Sequence, residues 1–345
     1  MKLMDKNWAI FMEGALGERH GKMGDGVLRF GRQHVVCVID SRHAGKTVGE
    51  LLPLDSSVPV VATLERALEL GAEVLLLGIA PSGGRLPHEW VPVIQQALLR
   101  GMSLVNGLHD RMGDRFKESL STDGRQCIWD IRIPAKEYPV GTARAALLPN
   151  KRVLMIGTDM AVGKMTAGLS LLNRLIDQGL KASFVATGQV GIAITGSGIP
   201  LDAIKVDQAC GAVQEAVLEH RDSDIVIVEG QGSLAHPGST ATLPLMRGSC
   251  PTHLILCHRA GQSANEIAPE VPIPPLKHFL RLNQEVASIL GGLPHPEILG
   301  IALNTSHLNE SVAREAIAAT QTETGLPVTD PVRFGPEPLS EGLVS

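Results

Sequence analysis

Aromatic side chains are scarce in this 345-residue sequence, at 3% of the total. That is too few for the stacking platform of a single-strand nucleic-acid binder. Positive charge is not in excess: 31 Lys and Arg stand against 36 Asp and Glu, a net of −5. No general polyanion-binding surface is on offer, so nucleic acid is not expected as a partner. No apolar run approaches the roughly 20 residues of a membrane span, so no membrane partner is expected either. The start, Met1-Lys2-Leu3-Met4-Asp5-Lys6, leads into no apolar signal-peptide core. Cysteine is sparse, and Cys37, Cys127, Cys210, Cys250 and Cys257 form no C-x-x-C pair. An odd number of strand-embedded cysteines points to a reducing, cytoplasmic setting and away from structural zinc. The histidines have no metal-ligand spacing, so no metal is expected. His236, His253 and His258 read as structural, His236 being the best functional candidate among them.

Glycine, by contrast, is plentiful at 37 residues, as suits a chain of tight turns and close backbone approaches. Apolar runs alternate with amphipathic stretches. Strands are expected at Val35–Ile39, Val58–Ala62, Val74–Leu77, Met102–Val105 and Cys127–Arg132, then at Val153–Ile156, Ala182–Ala186, Ile225–Val228, Leu254–Cys257 and Ile298–Leu303. Helices are expected at Leu64–Leu70, Val91–Arg100, Thr166–Asp177, Ala209–His220, Leu276–Leu290 and Glu310–Thr324. Pro336–Ser345 reads as a peripheral tail. Strands separated by helices imply parallel sheets covered on both faces. The fold class is therefore α/β, in two domains. Residues 1–145 read as a Rossmann-like domain with a parallel sheet. Residues 146–345 read as a second α/β domain, whose loop Gly157–Thr166 makes it resemble the P-loop NTPase-like domains of the dethiobiotin-synthetase type.

The strongest chemical signal is Gly157-Thr158-Asp159-Met160-Ala161-Val162-Gly163-Lys164-Met165-Thr166, between an apolar strand and a helix. Backbone N–H groups in such a loop point at phosphate oxygens, and Lys164 adds a positive charge. The pattern departs from G-x-x-x-x-G-K-[ST] in two ways. Five residues separate the glycines, as in the longer Gly-Thr-Asp loop of dethiobiotin synthetases. Met165 stands where the Mg²⁺-ligating hydroxyl is usual, and Thr166 sits about 100° further round the helix. The loop is thus expected to bind a phosphorylated ligand without Mg²⁺-dependent phosphoryl transfer.

Two further segments resemble the same class. Val228-Glu229-Gly230-Gln231-Gly232 puts a carboxylate at a strand end, where Glu229 would ligate Mg²⁺, orient the loop or act as a base. Asn304, ending Gly300-Ile301-Ala302-Leu303-Asn304, is a candidate adenine reader. Thr187-Gly188-Gln189-Val190-Gly191 reads as a glycine-rich strand exit lining the same cleft, with Gln189 a candidate substrate contact.

In the first half, Asp40-Ser41-Arg42 follows a buried strand, where ligands of open α/β sheets sit. Arg42 can grip a carboxylate with two N–H groups, and Asp40 can pair with an ammonium. Ser82, Gly83, Gly84 and Arg85 offer converging N–H groups and a charge for an anion. Asn106-Gly107-Leu108-His109-Asp110 forms a third polar exit.

Together these segments, with Ala80-Pro81-Ser82-Gly83-Gly84-Arg85-Leu86-Pro87, resemble the DgcN-type D-glutamate N-acetyltransferase family over roughly residues 30 to 310. The resemblance implies that acetyl-CoA is the cosubstrate and D-glutamate the small-molecule substrate, giving N-acetyl-D-glutamate and CoA in D-glutamate breakdown. It implies that residues 157–166 hold the CoA phosphates with Asn304 near adenine. Ser41, Arg42, Ser82, Gly83, Gly84, Arg85 and Gln189 would then hold the substrate. Asp40, Asp159 and Glu229 are the candidate bases for direct transfer to the amine, and a homo-oligomer is expected. Two other readings remain: an ATP-dependent ligase or kinase of dethiobiotin-synthetase type acting on an amino-acid-like carboxylate, and a nucleotide-sensing protein without turnover.

Overall fold

A computed structural model describes residues 2–344, without the side chains of Lys2, Arg19 and Ser82. The chain divides into two compact units. The first runs to Pro134 and takes in Gln189–Pro200; the second holds Ala135–Gly188 and the chain from Leu201 onward.

The first unit begins with a strand that the sequence reading passed over. β1 (Asn7–Phe11) is buried along Trp8, Ala9, Ile10 and Phe11, and it lies at the centre of the sheet. It leads through a glycine-rich loop to α1 (Lys22–Phe30) and β2 (His34–Ile39). There follow β3 (Val60–Val61), α2 (Leu64–Glu69), β4 (Val74–Leu77), α3 (Val91–Leu99), β5 (Ser103–Asn106), α4 (Met112–Phe116) and β6 (Ile128–Asp130). The strand order is β3-β2-β1-β4-β5-β6, every pair parallel. The order reverses between β1 and β4, so the carboxyl ends of these two strands flank the crevice typical of ligand sites in doubly wound sheets.

The second unit opens with β7 (Lys151–Gly157), α5 (Lys164–Asp177) and β8 (Ala182–Val185). The chain then gives α6 (Gln189–Thr195) to the first unit, where Gln33 Nε2 donates to the carbonyl oxygens of Ala193 and Ile194 and α6 packs on α1. This is a correction: Gln189 opens a helix rather than lining a strand exit. Next come α7 (Val206–Glu219), β9 (Ile225–Val228), α8 (Thr242–Ser249), β10 (His253–Arg259), α9 (Leu276–Ser288), β11 (Glu297–Asn304), α10 (Glu310–Thr324), β12 (Val328–Thr329) and α11 (Glu337–Val344). The order is β12-β11-β10-β7-β9-β8, again all parallel. Here the order reverses between β7 and β10.

Residues 135–145 pack with the second unit. The Thr142 and Arg144 N–H groups both donate to the buried Gln214 side chain, at 2.9 and 3.0 Å. The expected tail is likewise corrected: α11 buries Leu339 and Leu343 and packs against α5 and β11. α10 matches its expected span because its stops are explicit. The Asn309 side chain accepts the Val312 N–H at one end, and Gly325 closes the other at φ 72°.

Candidate functional site

In the second unit the glycine loop leaves β7 at the order reversal and enters α5 through Gly163, at φ 106°. Thr158 is buried; its N–H donates to the Cys257 carbonyl, and its hydroxyl lies 2.9 Å from His258 Nδ1. These contacts fasten the loop to the end of β10. Lys164 folds back, its Nζ donating to the Asp159 carbonyl at 2.8 Å. Its stem runs between two glycines. A Cβ on Gly157 would sit 2.8 Å from Nζ, and one on Gly230 would lie 2.8 Å from Cδ and collide with the Met155 carbonyl. Burial pulls the Lys164 ammonium down to about 8, against the raising influence of Cys257, Asp159 and Glu229. Val162 is buried, while Met165 and Thr166 are half-buried on the first turn of α5. The Asn304 amide reaches the loop, its Nδ2 lying 3.8 Å from where a Gly163 Cβ would stand.

Glu229, at the end of β9, is buried, and its Oε2 accepts the N–H groups of Thr187 and Gly188 at 2.7 and 3.0 Å. Burial raises its carboxyl to about 7, offset in part by those two donors and by Lys164. Asp159 Oδ1 accepts the Met160 N–H, and Oδ2 accepts from Gln262 Nε2 and the Glu266 N–H. The nearby thiol of Cys257 is pushed up to about 12 by burial, so it is no ready nucleophile. Among the described residues no group of three or more His, Cys, Asp or Glu has a metal-binding arrangement.

In the first unit Asp40 is fully buried. Its Oδ1 accepts from the Gly14 and Arg42 N–H groups, both at 3.1 Å, and its Oδ2 lies 2.9 Å from His43 Nδ1. These bonds tie the exit of β2 to the loop after β1. Ser41 donates its N–H and hydroxyl to Glu13. Arg42 is exposed, its guanidinium over Gly14, where a Cβ would stand 2.9 Å from Cζ. Gly14 has φ +67°, so glycine serves both the turn and the close approach. Gly83 and Gly84 are also left-handed, Gly84 packs on His109, and Arg85 is exposed. The Ser82 side chain lies outside the described residues. Gln189 meets the β5 exit, its Cγ 3.3 Å from where a Gly107 Cβ would stand.

The structure thus gathers Gly157–Thr166, Glu229 and Asn304 at one end of the second sheet, and Asp40, Ser41 and Arg42 in one loop cluster of the first. The sequence reading missed Glu13 and Gly14, although the run Trp8-Ala9-Ile10-Phe11 followed by Glu13-Gly14 carries the signature of a buried strand and its turn. It also missed Gln262, for which no local pattern exists.

A family model for the DUF1611 C-terminal P-loop domain, described as a domain of unknown function, matches residues 139–340. One for the DUF1611 N-terminal Rossmann-like domain, described in the same way, matches residues 41–134. The chain belongs to the DUF1611 family. A crystal structure of a DUF1611 family protein from Anabaena variabilis is similar across 99% of both chains, at 45% identity and a TM-score of 0.93. Two curated relatives bear the name D-glutamate N-acetyltransferase. The one from Tritonibacter scottomollicae is 36% identical over 82% of this chain and 84% of its own. The one from a Pseudoalteromonas species is 34% identical over 80% of this chain and 83% of its own. The DUF1611 division agrees with the two parallel-sheet α/β units, one Rossmann-like and one with a P-loop.

Proposed function

We propose that this protein is an N-acetyltransferase that moves the acetyl group of acetyl-CoA directly to the amine of D-glutamate. The observation that carries the reading is the name shared by two relatives, each matching about four-fifths of the chain. The loop chemistry supports it. CoA carries phosphates on an adenosine, and a phosphate cradle with Met165 in the hydroxyl position can hold them with nothing to hydrolyse. In this reading the N–H groups of residues 157–166 and Lys164 hold phosphate, and Asn304 lies toward the base.

The substrate ammonium gives up a proton, and the free amine attacks the thioester carbonyl. A C–N bond forms, the tetrahedral oxyanion collapses, the C–S bond breaks, and the CoA thiolate leaves to take up a proton. Glu229 is our choice of base, since a carboxyl raised to about 7 has the proton affinity the task needs at neutral pH. Asp40 is less suited, with both oxygens engaged by Gly14, Arg42 and His43. The raised Cys257 thiol favours direct transfer over an acetyl-cysteine route.

The test measures thiol release from acetyl-CoA with D-glutamate, L-glutamate and D-aspartate, beside ADP release from Mg-ATP. Thiol release with D-glutamate alone is expected. ADP release without thiol release would replace this reading with ligase or kinase chemistry, in which Glu229 and Thr166 serve a metal.

A further inference from the structure

Asp159 is the hub of a polar cluster built by three loops of the second unit. Gln262 bonds its Oδ2 at 2.6 Å, and His236 Nε2 stands 4.0 Å from its Oδ1. Asn265 joins through Ala235, the neighbour of His236, donating to that carbonyl at 3.2 Å. His236, Asn265 and Asp159 are all more than nine-tenths buried.

The bonded half of each side chain fixes its orientation. Gln262 Nε2 donates to Asp159 and to the Ala264 carbonyl, so turning the amide over would set oxygen against two acceptors. Asn265 Nδ2 donates to the Ala235 and Val271 carbonyls, which fixes it in the same way. His236 Nδ1 accepts the Gly238 N–H at 3.0 Å, so the neutral ring carries its proton on Nε2. The other half of each is buried and makes no hydrogen bond within the protein: His236 Nε2–H, Gln262 Oε1 and Asn265 Oδ1. One such group left unmet costs about 1–3 kcal/mol. Two beside one carboxylate, with a third three residues on from Gln262, are out of keeping with a finished core.

The inventory names its ligand. Two neutral acceptors and a carboxylate oxygen ask for several N–H donors carrying positive charge. The single imidazole N–H asks for an acceptor close by. A phosphate would meet the Asp159 charge and two carbonyl-type oxygens. A metal ion would need a lone pair on His236, and Nδ1 has given its own to Gly238. A primary ammonium beside a carboxylate, the main-chain end of an α-amino acid, offers N–H donors for the acceptors and an oxygen for the imidazole N–H. A cavity of about 400 Å³ reaches the cluster at Gln262, which lines it together with His258, Leu276, Leu303 and Thr320.

We infer that Asp159, His236, Gln262 and Asn265 form the site for the ammonium end of the amino-acid substrate. This rests on the acetyltransferase reading and deepens it, because it sets the reacting amine beside the P-loop rather than at Asp40. Asp159 then holds the amine, and His236 orients the neighbouring carboxylate.

The test is steady-state kinetics of His236→Asn and Asn265→Ser. The KM for D-glutamate should rise about tenfold or more, as for a lost hydrogen bond to a charged group, while the KM for acetyl-CoA stays within about twofold of wild type. An unmoved D-glutamate KM in both variants overturns the inference. Should the variants not fold, calorimetry on the wild type in the presence of CoA compares D-glutamate with glutarate, which lacks the amine. Glutarate should bind about tenfold or more weaker; equal binding overturns the site. Absence of thiol release from the wild type would overturn the acetyltransferase reading instead, and the calorimetric comparison still decides the ammonium site.

Discussion

Lys164 illustrates how single residues are constrained by what passes beside them. Its stem needs glycine at 157 and 230, and the tightest place is Gly230, against the Met155 carbonyl. Gly230→Ala should therefore lower stability by about 2 kcal/mol or more, read from the denaturant midpoint. Glu229 gives a kinetic prediction. A base must be unprotonated, so kcat/KM should rise with pH and level off above about 7. In Glu229→Gln that limb should vanish, with kcat down about 100-fold. His258 gives a thermodynamic one. Burial holds its imidazole down to about 4, against an ordinary 6.5. Between those values the unfolded chain binds the proton more readily, so stability is present above pH 6.5 and drains away as pH falls to 4. The contribution is on the order of 3 kcal/mol. Glu229 acts with the opposite sign, losing stability as pH rises from 4.5 to 7. Comparing His258→Asn with wild type by denaturant unfolding at pH 7 and pH 4.5 isolates the histidine, and the variant should have the shallower acid loss.

At the scale of the element, legibility followed the local signals. The glycine loop and α10 were readable because strand, turn and cap residues stand next to one another in sequence. β1 was not, because it precedes the first long apolar run and its partners β2 and β4 lie far along the chain. α11 was not, because Pro336, Gly342 and a short length disguise a two-residue apolar stripe. The Asp159 cluster is a meeting of residues 159, 236, 262 and 265, which no spacing rule relates. The buried face of α11 has a measurable worth: Leu339→Ala should cost about 2–4 kcal/mol in denaturant unfolding. A peripheral tail would show almost none.

The whole molecule is two sheets of different strand order, each reversing beside a glycine-bearing loop. The first unit is discontinuous in sequence, since Gln33 grips the α6 carbonyls from 160 residues away. A fragment ending at Pro134 should accordingly melt at a lower temperature than the same fragment with residues 189–200 attached by a flexible linker. Equal melting temperatures would mean that α6 adds nothing to that core. The sequence indicated two α/β domains, but a contiguous reading has no way to return twelve residues across an intervening strand–helix–strand.

That return sets an order of events during synthesis. When Pro134 leaves the ribosome, the face of α1 that receives α6 has no cover, and β7, α5 and β8 must be made before residue 189 appears. At ordinary elongation rates the wait is roughly 3–11 s. Through that interval the nascent first unit lacks the helix that packs on α1 and that accepts the Gln33 amide in the finished fold.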